Sequence, residues 1–339
     1  MKRSIVTILV MMLIPAAALS GCSQNAKEIE KDKDSRISVI CTIFPQYDWV
    51  RQITGDKTEN IDLTLLLSNR IDLHNYQPSV DDIMRISGCD LFIYVGGESD
   101  GWVGDALKQA TNKNMVIINL IDTLGAAAKI EEIVDGMEAD HHDDDDHDED
   151  HHDEDDHDYE ADYDEHVWLS LKNAELFCKA ITDALADLDT DNAGAFRENL
   201  AVYTKRLSDL NAEYQTAVDA APVKTLLFGD RFPFRYLVDD YGLGYYAAFA
   251  GCSAETEASF NTIIFLAGKM DELGLKSIMV TESSDKKIAE TIIRESKGTD
   301  RQILVLDAMQ SVENKDLTDG STYFSIMKSN LDVLVEALK

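Results

Sequence analysis

The alternation of strand-like and helix-like segments most constrains the fold of this 339-residue chain. Short apolar runs separated by helical segments predict four strands in the first half and four in the second. The predicted strands are 37–44, 60–68, 89–96, 115–122, 224–230, 242–249, 275–282 and 302–308. Strands that alternate with helices form mostly parallel sheets. The predicted fold class is therefore α/β, and the length favours two domains.

A long amphipathic helix is predicted between the two halves, at about residues 190–220, with Asp189 or Asp191 as its N-cap. Its apolar residues recur every three or four positions and so share one face: Phe196, Leu200, Tyr203, Leu207, Leu210, Tyr214 and Val218. A helix of about 30 residues is about 45 Å long. We interpret it as a rigid linker that packs against both domains of a monomer. The seam of a coiled-coil dimer is the alternative.

Residues 1–22 have the features of an export signal. Two basic residues precede an apolar run that is too short for a comfortable membrane crossing. The sequence Leu-Ser-Gly-Cys that ends at Cys22 resembles the lipobox of bacterial lipoproteins, whose cysteine is acylated. We expect a lipid anchor at Cys22 on the extracytoplasmic face of the cell membrane, followed by a flexible tether at 23–36. A plain signal peptide with a chance cysteine is the alternative.

The segment 138–165 is acidic and rich in histidine. It holds 18 of the 64 acidic residues and no Lys or Arg, and much of the formal net charge of −33 lies there. Such a segment predicts a solvated loop, and such acidity argues against nucleic acid as a partner. Its histidines are His141, His142, His147, His151, His152 and His157. We expect weak, exchangeable accessory metal sites in it, because ordering a flexible loop costs entropy. A plain acidic linker is the alternative.

Only His74 and His166 lie outside this loop. His74 follows the second predicted strand, and His166 follows the loop directly. Asp230, Glu282 and Asp307 end three predicted strands of the second half. Ligands of open α/β sheets bind beyond the carboxyl ends of the strands, so these groups are candidates for one metal site. The alternative is that the aspartates cap helices or lie in turns.

Four motifs resemble, in order, those of the solute-binding lipoproteins of bacterial ABC transporters for zinc and manganese, the cluster A-I family. His74, with an aromatic residue two positions on, matches the first ligand of that family. His166, in EHVWL, matches the second, in D-P-H-x-W-L. GDRFPFRYLVDDYGL is similar to H/E-x-A-F-x-Y-x-x-x-x-Y-G, and we assign Asp230 to its ligand position. LVLDAMQS supplies Asp307 as the fourth, and the resemblance spans about residues 37–339.

The resemblance implies a metal ion in a cleft between an N-terminal lobe, 37–189, and a C-terminal lobe, 221–339, joined by the helix 190–220. His74 and His166 would bind from the first lobe, and Asp230 and Asp307 from the second. Glu282 and Cys252 are possible additional or supporting groups, as is Glu255 or Glu257. The resemblance also implies that a membrane permease and its ATPase are partners of this protein.

Zinc is the expected cargo, because zinc-binding members of that family often carry an acidic, histidine-rich insertion. Manganese is the alternative, since a carboxylate at the third position suits it. An enzyme is not expected. No H-E-x-x-H motif occurs, and a metallohydrolase needs an open coordination position, whereas four protein ligands would fill the coordination shell. A surface adhesin or calcium-buffering lipoprotein is the alternative of another class.

Three further cysteines, Cys41, Cys89 and Cys178, lie in apolar runs and are predicted to be small buried hydrophobes. A disulfide among the cysteines stays open at this point. The absence of C-x-x-C excludes a thiolate zinc knuckle.

Overall fold

The computed structural model describes residues 36–68, 71–138, 163–253, 257–312 and 319–339. The predictions for the export signal, Cys22 and the tether up to residue 35, and for the six loop histidines, lie outside the described residues. So does Glu255. Over the ranges described, no helix combines the length and the apolar character needed to cross a membrane.

The first lobe is built on a parallel four-stranded sheet in the order β2-β1-β3-β4. Its strands are β1 (Ile37–Cys41), β2 (Ile61–Leu65), β3 (Leu91–Tyr94) and β4 (Val116–Asn119). Its helices are α1 (Phe44–Thr54), α2 (Val80–Gly88), α3 (Val103–Lys108), α4 (Leu120–Leu124) and α5 (Leu171–Leu188). The central strands are mostly apolar because both faces of such a sheet are covered, and Val39, Leu91 and Phe92 are fully buried.

The second lobe repeats this arrangement with a parallel sheet in the order β6-β5-β7-β8. Its strands are β5 (Thr225–Phe232), β6 (Gly244–Ala250), β7 (Ser277–Val280) and β8 (Gln302–Val305). Its helices are α7 (Arg235–Tyr241), α8 (Phe260–Glu272), α9 (Lys287–Glu295) and α10 (Tyr323–Ala337).

Successive residues of β5 and β7 pack into different cores. Phe228 and Met279 join the large core shared with the first lobe, whereas Leu227 and Ile278 join a second core with residues of α8 and α9. Side chains alternate between the two faces of a strand, so apolar cores cover both faces of this sheet.

The helix α6 (Ala193–Ala220) links the lobes. Six of the seven residues predicted on its apolar face are buried, and Leu200 is partly buried against the same core. This core contains residues of both sheets, so the apolar face is used within the chain, as the linker interpretation requires. Tyr214 also donates a hydrogen bond to the carbonyl of Met327 in α10, 2.6 Å away. The helix begins a few residues later than predicted, and its N-cap is Asn192, so the prediction of Asp189 or Asp191 as the N-cap is wrong. Asp189 instead accepts hydrogen bonds from Asn192 in the preceding turn.

The predicted α/β fold with a linking helix is confirmed, and all eight predicted strands are present. Seven of them are shorter than predicted, because apolar residues continue into the loops at the strand ends. The short helices α4 and α7 were not predicted, since five to seven residues show too little periodicity. Cys41, Cys89 and Cys178 are buried, as predicted. The structure answers the question of disulfides that the sequence left open, because all three are free thiols.

Candidate metal centre

The imidazoles of His74 and His166 face each other across a short gap, although 92 residues separate them in the chain. Their Nε2 atoms are 3.3 Å apart, and the His166 side chain is fully buried. Two nitrogens that each lie about 2.0–2.1 Å from a tetrahedral zinc ion are about 3.3 Å apart. The spacing therefore fits two ligands of one ion.

The other ring nitrogens are held by hydrogen-bond acceptors. His74 Nδ1 lies 2.8 Å from the hydroxyl of Ser99 and 3.4 Å from the Glu165 carboxylate. His166 Nδ1 lies 3.0 Å from the carboxylate of Asp164. A carboxylate at Nδ1 keeps the proton there and leaves the lone pair of Nε2 free for a metal. Both rings are thus oriented with Nε2 toward the gap.

Glu165 is itself fixed in its ionised form. Burial would raise its pKa, but hydrogen bonds from His74 and from Ser99 outweigh burial and hold the pKa below its ordinary value. Gly97 makes room for this carboxylate: its φ is +84°, and a Cβ there would lie 2.4 Å from a Glu165 oxygen. Only glycine combines that backbone conformation with so close an approach.

The thiol of Cys252 lies next to the two imidazoles. His74, His166 and Cys252 each offer one ligand atom, and these three atoms lie within 4.8 Å of one another. In the described parts of the chain, no other group of three or more His, Cys, Asp or Glu residues has such spacing. Cys252 follows β6, which has the same place in its sheet as β2, the strand before His74. Its N–H donates to Glu131, 3.0 Å away.

The surroundings of this thiol are acidic. Burial raises the pKa of Cys252 well above its ordinary value, and the charges of Glu131, Glu165 and Asp164 raise it further. Burial likewise raises the pKa of Glu131. A buried group of carboxylates around the two imidazoles and the thiol gives a negative potential, which attracts a divalent cation.

Asp230 and Asp307 are placed differently from what the sequence predicts. Both oxygens of Asp230 accept hydrogen bonds, one from the N–H of Arg231 and one from the N–H and hydroxyl of Thr281. One oxygen of Asp307 accepts from the N–H of Met309, 2.8 Å away. Neither aspartate belongs to the group formed by the two histidines and Cys252. Their role as ligands stays a prediction.

An irregularity in β5 explains where Asp230 lies. The pairing of β5 with β6 shifts register between Phe228 and Arg231, and such a bulge re-aims the side chains beside it. When the third motif is aligned on Tyr241-Gly242, its ligand position falls on Arg231, which is one residue after Asp230.

Arg231 joins the two lobes. Its guanidinium donates to Asp72, 2.8 Å away, and Asp72 also accepts the N–H of His74. Burial would raise the pKa of Asp72, but the charge and hydrogen bond of Arg231, together with those of His74, outweigh burial and lower the pKa. Arg231 thus occupies the ligand position of the third motif, and its ion pair with Asp72 supports the loop that carries His74.

Glu282 lies beneath the turn that follows Asp307. Its carboxylate accepts hydrogen bonds from the backbone N–H groups of Ala308, Gln310 and Ser311 at 2.8, 2.9 and 3.2 Å. This turn brings the side chain of Gln310 against both imidazoles. Gln310, Asp164 and Glu165 were not predicted from the sequence as site residues. For Asp164 and Glu165, the only indication in the sequence was that they directly precede His166.

The fold matches that of two-lobed metal-binding proteins. The metal-dependent lipoprotein YcdH of Bacillus subtilis has a similar structure, with a TM-score of 0.69, 27% sequence identity and coverage of 89% of this chain and 99% of that one. The zinc-bound ZnuA-like domain of AdcA from Streptococcus pneumoniae shares the fold at a TM-score of 0.67 and 23% identity, over 90% of this chain and 99% of that domain.

Residues 39–337 match the ZnuA family, described as the periplasmic component A of the zinc-uptake complex. The chain belongs to this family. It is 30% identical to the high-affinity zinc uptake system protein ZnuA of Bacillus subtilis, over 94% of this chain and 93% of that protein. It is 27% identical to the zinc-binding protein AdcA of Streptococcus pyogenes over 96% of this chain, but it spans only 60% of the length of AdcA.

Proposed function

We propose that this chain is the zinc-binding component of an ABC importer, which captures Zn²⁺ outside the cytoplasm and delivers it to a membrane permease and its ATPase. The observation that carries the proposal is the 3.3 Å separation of two Nε2 atoms whose rings are oriented by acidic partners. Membership in a family described as an uptake component supports a binding protein rather than an enzyme.

The proposed ligands include His74, His166 and Cys252. The first two come from the first lobe and Cys252 from the second, so that the ion would join the lobes as Arg231 and Asp72 do. The geometry favours Cys252 over Asp230, because both oxygens of Asp230 are bonded within the second lobe.

A thiolate ligand favours zinc over manganese. Zinc binds nitrogen and sulfur ligands, whereas manganese suits sites made of oxygen. Equilibrium dialysis against equal concentrations of the two ions tests the cargo. We expect the bound metal to be almost entirely zinc, at one tight site per chain. Retention of manganese in preference to zinc would refute this assignment.

A lipid anchor at Cys22 is the proposed means of holding the protein at the cell membrane. In its native host, the wild-type chain is expected in the membrane fraction and the Cys22→Ser variant in the medium or periplasm. Fractionation followed by immunoblotting measures the difference. Equal membrane retention of the two chains would show that the anchor lies elsewhere.

The acidic loop is proposed to gather metal and not to be the tight site. Deletion of residues 139–162, bridged by a short Gly-Ser linker, keeps Asp164 and its hydrogen bond to His166. Calorimetric titration with zinc should then lose the weak, multiple binding and keep one tight site with an affinity within about threefold of wild type, because the loop contributes no ligand to that site. Loss of the tight site on this deletion would contradict the proposed division of roles.

A further inference from the structure

The side chain of Gln310 lies at the two nitrogens that are proposed to bind zinc. Gln310 belongs to the second lobe and follows β8. Its amide nitrogen is 2.8 Å from Nε2 of His166 and 3.1 Å from Nε2 of His74. The residue is 5% exposed. One amide group therefore meets both imidazoles at the atoms that face the gap.

The amide oxygen of Gln310 is left without a partner. It is buried and accepts no hydrogen bond from any residue that the structure describes. A buried carbonyl without a partner costs about 1–3 kcal/mol. A half-turn of the amide exchanges its oxygen and nitrogen without changing the shape of the side chain. The same position can therefore present an oxygen, which is a zinc ligand, to an ion between the imidazoles.

The backbone around Gln310 is held in place. Its N–H and that of Ala308 both donate to the carboxylate of Glu282, at 2.9 and 2.8 Å. The preceding residue, Met309, has a φ of +58°, in the left-handed region that non-glycine residues rarely adopt. Trp168 of the first lobe donates its indole N–H to the carbonyl of Ala308, 2.8 Å away. These contacts fix the turn so that the Gln310 side chain is directed at the histidines.

We propose that the amide oxygen of Gln310 is the fourth zinc ligand, completing a tetrahedral set with His74, His166 and Cys252. Each lobe then supplies two ligands. The inference rests on the proposed function, because it requires the ion to bind at the two histidines. A neutral amide oxygen holds zinc less strongly than a carboxylate, so the wild-type site is weaker than the same site with a glutamate.

Two substitutions separate a ligand from a group that only fills space. Gln310→Leu keeps the bulk but has no oxygen, and we expect zinc affinity to fall about 10- to 100-fold, as for the loss of other groups that support a metal. Gln310→Glu restores an oxygen donor and should bind zinc at least as tightly as wild type. Competition with a chromophoric zinc chelator measures both affinities. Gln302→Leu, in the exposed part of β8, is the matched control and should leave the affinity unchanged.

Cobalt in place of zinc gives a second measurement. The visible spectrum of cobalt-loaded Gln310→Leu should change on addition of thiocyanate, because the fourth position is open to an added anion. The spectra of cobalt-loaded wild type and Gln310→Glu should not change. If Gln310→Leu binds zinc like wild type and its cobalt spectrum ignores thiocyanate, Gln310 is not a ligand.

Measurements on the wild-type protein distinguish an error in the assignment of Gln310 from an error in the proposed function. Wild-type protein that binds cobalt with a thiolate-to-cobalt absorption band supports the proposed site before any variant is made. Wild-type protein that binds neither cobalt nor zinc tightly overturns both proposals. A normal wild-type site combined with an unaffected Gln310→Leu variant overturns only the assignment of Gln310.

Discussion

His166→Ala is expected to weaken zinc binding by at least about 1,000-fold, equivalent to about 4 kcal/mol. The side chain is fully buried, and its Nε2 lies 3.3 Å from that of His74, so its loss removes a ligand that solvent replaces poorly. It also leaves the carboxylate of Asp164 without its imidazole partner. Competition with a high-affinity zinc chelator measures the change. His74→Ala should have a similar effect.

The histidines of the acidic loop provide the control for this experiment. His147→Ala changes the same residue type outside the proposed site and should leave the tight affinity unchanged. Thermal unfolding of each metal-free variant tests whether the fold is intact. A folded His166→Ala protein that keeps wild-type zinc affinity would show that the histidine pair is not the site.

Cys252→Ser is expected to weaken zinc binding by about 100-fold or more, and to reduce the preference for zinc over manganese. Serine keeps the size of cysteine, but its neutral hydroxyl is a poor zinc ligand compared with a thiolate. The absorption band from thiolate to cobalt, present in the cobalt-loaded wild type, should disappear. Dialysis against both metals measures the preference, and ultraviolet absorption measures the band.

Asp230→Asn distinguishes the two candidates for the second lobe. The structure commits the oxygens of Asp230 to Arg231 and Thr281, so this variant should keep zinc affinity within about fivefold of wild type. The assignment of Asp230 as a ligand in the sequence predicts the opposite, a large loss in Asp230→Asn and little change in Cys252→Ser. That second pattern would restore Asp230 as the ligand in place of Cys252.

The lobes and the long helix could be predicted because their signals are local. Each strand contains a short, mostly apolar segment between helical ones, and the face of α6 repeats every three or four residues from Phe196 to Val218. His74 could be found because it follows a strand end, and parallel sheets collect their ligands there. His166 was found from its resemblance to the second family motif, and the fold brings it to His74.

The remaining groups of the site depend on features that the sequence does not reveal. The shift of register in β5 directs Arg231 toward Asp72 and Asp230 toward Thr281. Gly229 within the strand is a sign of a bulge, but it does not reveal which side chain the bulge turns toward the first lobe. Gln310 stands alone in the sequence. Its approach to the histidines depends on the left-handed turn at Met309 and on the hydrogen bonds to Glu282.

The most direct test is an anomalous difference map at the zinc absorption edge, from crystals of the zinc-loaded protein. We predict one strong peak in the cleft, about 2.0–2.1 Å from the Nε2 atoms of His74 and His166 and about 2.3 Å from the sulfur of Cys252. A strong peak bound elsewhere, with the two imidazoles bonded only to protein groups, would contradict the account.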